Sequence, residues 1–371
     1  MKKFVALLLT LIMVFALCAC GNTTTTPEDK TPAAEGSAAP AGNGDSAAAS
    51  SPTTTDEAKA AGRKILVMNQ HNSKESTNGQ FTQYFVDYVN NNSDTLWIDV
   101  YYNGELGGIQ ETLEGAIMGT IDIGGCSFAQ LATFYPEMEV WSMPYLYTDP
   151  YEGAKIVDLE KNTLLAEMID KCNEVSGMTI FALNYSIDAR QLTCNFPVYS
   201  PADLKGAKIR CITNPVYTMC IEGMGGTPIP IDWTETISAL TTGTVVGQEN
   251  PYATLASYQM WDCQKYVMET NHMFDFAANY ICTDTWNGLT DAEKQVLRDG
   301  IAAQQQFQNE TLETNKEEYK QLLLDNGMTI ITAEDGLDVD AFKAGVDALK
   351  EKNYPQYAEY FDYIADYLAN Y

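Results

Sequence analysis

The sequence predicts an α/β fold built as two similar lobes, and three observations carry that prediction. Strand-like and helix-like patterns alternate from Lys64 to Gly125, the alternation restarts after Ala207, and a stretch of the first half recurs in the second. In the recurrence, E-T-L-E-G-A-I-M-G-T-I-D from Glu111 lies gap-free over E-T-I-S-A-L-T-T-G-T-V-V from Glu235. Helix, glycine stop and strand follow in the same order twice, the glycine supplying the left-handed turn that ends a helix.

Lys64 to Gln70 (K-I-L-V-M-N-Q) reads as a strand, and a polar turn at His71 to Ser76 follows. Phe81, Tyr84, Phe85, Tyr88 and Val89 then recur at helical spacing. Thr95 to Tyr102 alternates as a strand, Gly107 and Gly108 open a helix to Met118, and Ile121 to Gly125 begins a buried strand. This order predicts a largely parallel sheet. One helix is expected over Tyr151 to Asn173 and a strand over Met178 to Tyr185. The second half predicts strands at Ala207–Ile212, Thr227–Ile231 and from Val245, with helices at Asn214–Met224 and Thr234–Thr242. Lys265–His272 and Asn279–Thr283 are further strands. A long polar helix is expected from Asp291 to about Leu324, with Thr290 as its cap and Glu293 three residues on, and two more helices fill Val339–Tyr371.

The ends of the chain carry different signals. Lys2 and Lys3 precede an apolar run from Phe4 to Leu17, the pattern of a secretory signal whose apolar core is short for a membrane span. Its end, L-C-A-C, resembles a bacterial lipobox, which makes Cys20 the expected lipidated residue and residues 1–20 the signal peptide. Residues 21–62 are Thr-, Ala-, Ser-, Pro- and Gly-rich without large apolar side chains, so a flexible tether is expected there. The expected location is therefore extracytoplasmic, anchored to the outer face of the cell membrane.

With 50 acidic against 22 basic residues, the net charge is −28. That excludes a nucleic-acid partner, whose phosphates need a basic face, and argues against binding through anionic headgroups. Seven cysteines remain beyond the signal and Cys20, an odd number at scattered spacing, which reads as buried apolar residues with one bridge at most. His71 and His272 are the only histidines, so no metal site and no cofactor are expected.

Against this acidic background the arginines stand out. There are four: Arg63, Arg190, Arg210 and Arg298. Arg190 and Arg210 lie 20 residues apart in strand-like surroundings. A guanidinium grips a carboxylate through two parallel bonds, although structural ion pairs account for such a pair equally simply.

The segments around them are S-P-A-D-L-K-G-A-K-I-R, M-G-G-T-P-I-P-I, E-T-I-S-A-L-T-T-G and G-Q-E-N-P, preceded by G-E-L-G-G, E-G-A-I-M-G-T-I-D-I-G and W-S-M-P-Y-L-Y. In this order they resemble the DctP-type substrate-binding subunit of tripartite ATP-independent periplasmic (TRAP) transporters, from about Lys64 to the C-terminus. Val246 departs from the pattern, where that family usually has Asp. The resemblance implies a periplasmic-binding-protein-like fold of two lobes closing on a ligand, with a long helix crossing both. It places lobe I at 63–187 plus about 276–315 and lobe II at 188–275 plus about 316–371. It implies that Arg210 clamps a ligand carboxylate, that Arg190 assists, that Asn250 donates its amide to the same group, that Trp233 packs on the ligand body and that Gln130 lies near the pocket of the other lobe.

The residues themselves agree, since each candidate falls at a strand end or in the following turn, where open α/β sheets bind ligands. Trp233 reads equally as lobe packing, Asn250 as a turn residue before Pro251, and Gln130 as surface. His71 and Glu75 are candidates for lining the first lobe's turn, and Asn69, Gln70, His71 and Asn72 suit hydroxyl groups. The expected function is a monomeric, non-enzymatic receptor for a small organic acid, a sugar acid before a dicarboxylate, that serves integral-membrane TRAP carrier subunits. The rival is an extracellular hydrolase of acidic glycans using paired carboxylates such as Glu235 and Glu249, distinguished by turnover.

Overall fold

A computed structural model describes residues 51–371. The expected signal at 1–20, the lipidation at Cys20 and residues 21–50 of the expected tether lie outside the described residues.

The last part of the expected tether is folded. Helix α1 (Thr55–Ala60) is capped by the Thr54 hydroxyl, which accepts from the Glu57 amide. Ala58 is fully buried, and the Thr55 hydroxyl donates to Asp99 (2.8 Å) and accepts from the Trp97 indole (3.1 Å). The helix thus docks through one small buried side chain and one hydroxyl rather than through large apolar side chains.

The first lobe runs β1 (Lys64–Asn69), α2 (Thr77–Asn92), β2 (Leu96–Tyr101), α3 (Ile109–Met118), β3 (Ile123–Ser127), α4 (Phe128–Leu131), α5 (Glu152–Ile156), α6 (Thr163–Ser176) and β4 (Met178–Tyr185). The single helix expected over Tyr151–Asn173 is broken in two. Asn162 sits between the pieces, its amide donating to the Ile156 carbonyl (2.9 Å) while its oxygen accepts from Leu165 and caps α6.

The second lobe runs β5 (Arg190–Cys194), β6 (Lys208–Cys211), α7 (Pro215–Gly223), β7 (Thr227–Pro230), α8 (Trp233–Thr241), β8 (Gly247–Pro251), α9 (Tyr252–Ser257) and β9 (Tyr266–Met273). The chain then returns through β10 (Phe276–Cys282), α10 (Thr283–Asn287), α11 (Asp291–Asp325), β11 (Thr329–Ile331), α12 (Val339–Asn353) and α13 (Ala358–Asn370).

The recurring segment has a structural counterpart. Gly119 and Gly243, at φ 72° and 73°, follow α3 and α8, and the next strands start at Ile123 and Gly247. The sheets are ordered β2-β1-β3-β10-β4 and β11-β9-β5-β8-β6-β7. Each is mixed rather than largely parallel, because one strand crosses over from the other lobe. Thus β10 is antiparallel to β3 and β4, while β5 is antiparallel to β8 and β9. The crossings, 186–189 and 274–275, touch where the Ser186 amide donates to the Asp275 carbonyl (2.9 Å).

Helix α11 spans 35 residues, and its capping box joins Thr290 and Glu293. It packs on α2 and β4 of one lobe and on α9 and β11 of the other. Gly300 permits this approach, since a Cβ there would lie 2.9 Å from the Phe85 ring. The final helices divide between the lobes. α12 packs on α7, but α13 returns to α5, where Tyr367 donates to the Lys155 carbonyl (2.8 Å) and Tyr371 to Asp158 (2.8 Å). The expected assignment of 316–371 to lobe II thus differs from the contacts of α13, whose tyrosines reach acceptors on lobe I. No helix among the described residues is long and apolar enough to cross a membrane.

Candidate ligand-binding cleft

A cleft of about 300 Å³ lies between the two sheets, floored by the crossing segments and walled by α11. Arg210, Arg190, Asn250, Trp233, Gln130 and His71 all line it; Glu75 does not. Ser73 and Ser76 close a tight turn at the head of α2, which leaves Glu75 facing solvent with only its backbone carbonyl engaged, by Gln80 (3.0 Å).

Arg210 is the third residue of β6 and is 2% exposed. Its Nε donates to the Ile231 carbonyl (2.9 Å), which fixes the plane of the fork. Its two terminal nitrogens form no hydrogen bond or ion pair among the described residues. The guanidinium lies 5.7 Å from the centre of the Trp233 ring. Burial pushes its pKa down to about 10, and Arg190 adds to that while Glu249 opposes it. The group remains charged at neutral pH, is desolvated, and lacks a counter-ion.

Arg190 is at the start of β5 and is spoken for. Its Nε pairs with Glu249, its Nη1 with Asp275 (2.7 Å), and its Nη2 reaches Glu249 Oε1 (2.9 Å) and Asn250 Oδ1 (3.1 Å). Burial works against its charge, but Asp275 and Glu249 outweigh that and hold its pKa well above the usual value. Arg190 thus ties β5, β8 and the second crossing segment together at the floor of the cleft. Asn250 is drawn into the same network, its amide also donating to Gln248. Glu249 is fully buried; Arg190 and His272 overcome the desolvation and hold its carboxyl at about 2.

Trp233 opens α8 behind the Asp232 cap, with its ring edge-on to Tyr258 at 4.8 Å. Tyr258 reaches across from the second lobe. Its hydroxyl accepts from the Ser73 amide (3.0 Å) and donates to Asn72 Oδ1 (3.0 Å). Asn214 makes a second crossing to the Ala129 carbonyl (2.6 Å). Gln130 caps α4, its Oε1 accepting from the Ser127 amide (2.9 Å), so only its Nε2 is spare. Burial pushes His71 down to about 4, and Asp232 only partly opposes this, so the ring is neutral at physiological pH.

Sequence reasoning missed Glu249 as the anchor of Arg190, and with it Asp275, Tyr217 and Tyr258. Asp275 interrupts the apolar run M-F-D-F, the one local hint that it is paired. The rival hydrolase finds no pair of facing acids here: Glu249 is locked in an ion pair and Glu235 is exposed in the first turn of α8.

Comparison with known proteins gives the family. Residues 68–356 match the bacterial extracellular solute-binding protein family 7. The ectoine-binding periplasmic protein TeaA of Halomonas elongata is 26% identical over 274 residues, 73% of this chain and 79% of that one. The 2,3-diketo-L-gulonate-binding periplasmic protein YiaO of Escherichia coli is 26% identical over 248 residues, 67% of this chain and 73% of that one. A TRAP periplasmic solute-binding protein of Roseobacter denitrificans with bound L-galactonate shares the fold, with a TM-score of 0.74 at 22% identity over 81% of this chain and 98% of its own. Two lobes, an interlobe cleft with a buried free guanidinium, and a match over most of its length show that the chain belongs to the bacterial extracellular solute-binding protein family 7.

Proposed function

We propose that the protein is a receptor that binds one small organic acid in this cleft, a sugar acid before a dicarboxylate, and hands it to the membrane subunits of a TRAP carrier. The observation that carries this reading is the unpaired, buried fork of Arg210. A carboxylate there supplies the missing counter-ion and takes two charge-assisted bonds, each worth roughly 1.5–3 kcal/mol net.

A second carboxylate has no comparable partner. Arg190, the other lining cation, is already neutralised, and His71 is uncharged. Around the rest of the cavity, Gln70, Asn72, Asn279 and Gln304 offer amides suited to hydroxyl groups. The ligand in the name of YiaO, an oxidised sugar acid, supports the same class. We further propose that Cys20 carries a lipid that keeps the receptor at the outer face of the membrane.

The test is a thermal-shift screen of sugar acids and dicarboxylates, followed by calorimetric titration of the best ligand into wild type and Arg210→Lys. A true ligand at 100 times its Kd stabilises by about 2.7 kcal/mol. Lysine keeps the charge but loses the planar fork, so affinity should fall roughly 10- to 150-fold. Wild-type affinity in a folded Arg210→Lys would place the carboxylate elsewhere.

A further inference from the structure

The hinge carries a carboxylate that the fold leaves half-used. Asp188 lies in the 186–189 crossing, and its Oδ2 accepts from the Ala253 amide at the head of α9 (3.0 Å). Its Oδ1 forms no hydrogen bond among the described residues, and the side chain lines the cleft. No cation of the described chain pairs with it. Burial pushes the carboxyl up to about 6; Lys316 and Lys320 oppose this only in part, and Asp275 adds to it. The other lining carboxylates are engaged, Asp275 by Arg190 and Tyr217 and Asp232 by the cap of α8.

A second group points the same way. Gln304 of α11 lines the cleft at 9% exposure, and its amide forms no hydrogen bond among the described residues. The cavity therefore offers spare acceptors on the hinge and α11 as well as the spare donors of Arg210. Its lining charges are also unequal: Arg190 and Arg210 face Asp188, Asp232 and Asp275, and Arg190 is further neutralised from behind by Glu249. A ligand with nothing but carboxylate to offer would leave Asp188 without a partner, beside added negative charge.

We propose that Asp188 is a second subsite, which accepts a hydrogen bond from the body of the ligand while Arg210 holds its carboxylate. This rests on the carboxylate reading of the cleft and narrows it to acids that carry a hydrogen-bond donor along the chain. Plain aliphatic mono- and dicarboxylates are disfavoured. A hydroxyl and an ammonium both supply the hydrogen, and they differ in whether Asp188 must also balance a charge.

Four acids with six-carbon backbones separate the cases: D-gluconate with hydroxyls, 6-aminohexanoate with an ammonium, hexanoate with neither and adipate with a second carboxylate. Each is titrated near neutral pH into wild type, Asp188→Asn and Arg210→Lys. At least one donor-bearing acid should bind about tenfold or more tighter than hexanoate and adipate. Asp188→Asn should erase that preference, costing about 5- to 10-fold for a hydroxyl and about 30-fold or more for an ammonium, with hexanoate changed by less than about twofold. Asparagine keeps an oxygen for the Ala253 amide, and melting temperature reports folding; Asp188→Ser is the second variant should it not fold.

Undiminished preference in a folded Asp188 variant overturns the subsite, as does equal wild-type binding of all four acids. If Arg210→Lys weakens every acid while Asp188→Asn changes none, the clamp stands and the subsite falls. If Asp188→Asn matters and Arg210→Lys does not, the carboxylate reading is the one overturned. Silence from all four acids at millimolar concentration overturns both.

Discussion

Glu249 shows how a side chain outside the binding surface governs it. It is 1% exposed and neutralises Arg190, leaving Arg210 the cleft's unpaired cation. Its folded pKa, about 2, lies below the ordinary 4.5, so the stability it contributes is full above pH 4.5 and is lost as pH falls toward 2. Glu249→Gln should flatten the acid limb of a stability profile measured by urea unfolding. At neutral pH it should cost about 3–5 kcal/mol, because the buried Arg190 charge keeps only Asp275. A steep acid limb surviving in the variant would assign the titration to other groups. Asp188 works with the opposite sign. Its pKa is raised from 3.8 to about 6, so its ionisation removes stability as pH climbs through that window. At this scale Arg210 was legible in the sequence because arginine is scarce and its flanking segments are distinctive. The partners of Arg190 were not, since Glu249 and Asp275 lie 59 and 85 residues away, one on the neighbouring strand β8 and the other in the second crossing.

At the scale of elements, local pattern carried far and ended where a contact replaced bulk. The helix, glycine and strand of the repeat were readable because a left-handed glycine leaves a local mark. Strand β5 escaped as an element because it enters its sheet from the other lobe, and α1 because a threonine and an alanine do the work usually given to large side chains. A chain beginning at Arg63 should therefore lose about 1–3 kcal/mol of unfolding free energy, seen as a lower denaturant midpoint. An unchanged midpoint would make α1 an ornament. The bridge from α9 makes a kinetic prediction. Tyr258→Phe removes both hydrogen bonds to Asn72 and Ser73 while keeping the ring against Trp233. Dissociation of the screened ligand, followed by stopped flow, should accelerate about 3- to 10-fold with little change in association. Equal effects on both rates would argue against a latch.

For the whole molecule, the crossings at 186–189 and 274–275 and the long α11 allow the lobes to rotate about one floor. The bridges at Tyr258 and Asn214 form only when the lobes are close, so the described arrangement is a closed one. Small-angle scattering should show a smaller radius of gyration on saturation with ligand, and an unchanged radius would count against closure. Cys20→Ala should release the protein from membranes into the soluble fraction, and full retention would defeat the lipid anchor. One feature of the fold bears on both motions. Helix α1 is fastened to β2, the edge strand of the first sheet, far from either crossing in the order of strands. On the proposed lipid anchor, a pull arriving ahead of residue 51 would enter the first jaw at its rim and not at the pivot.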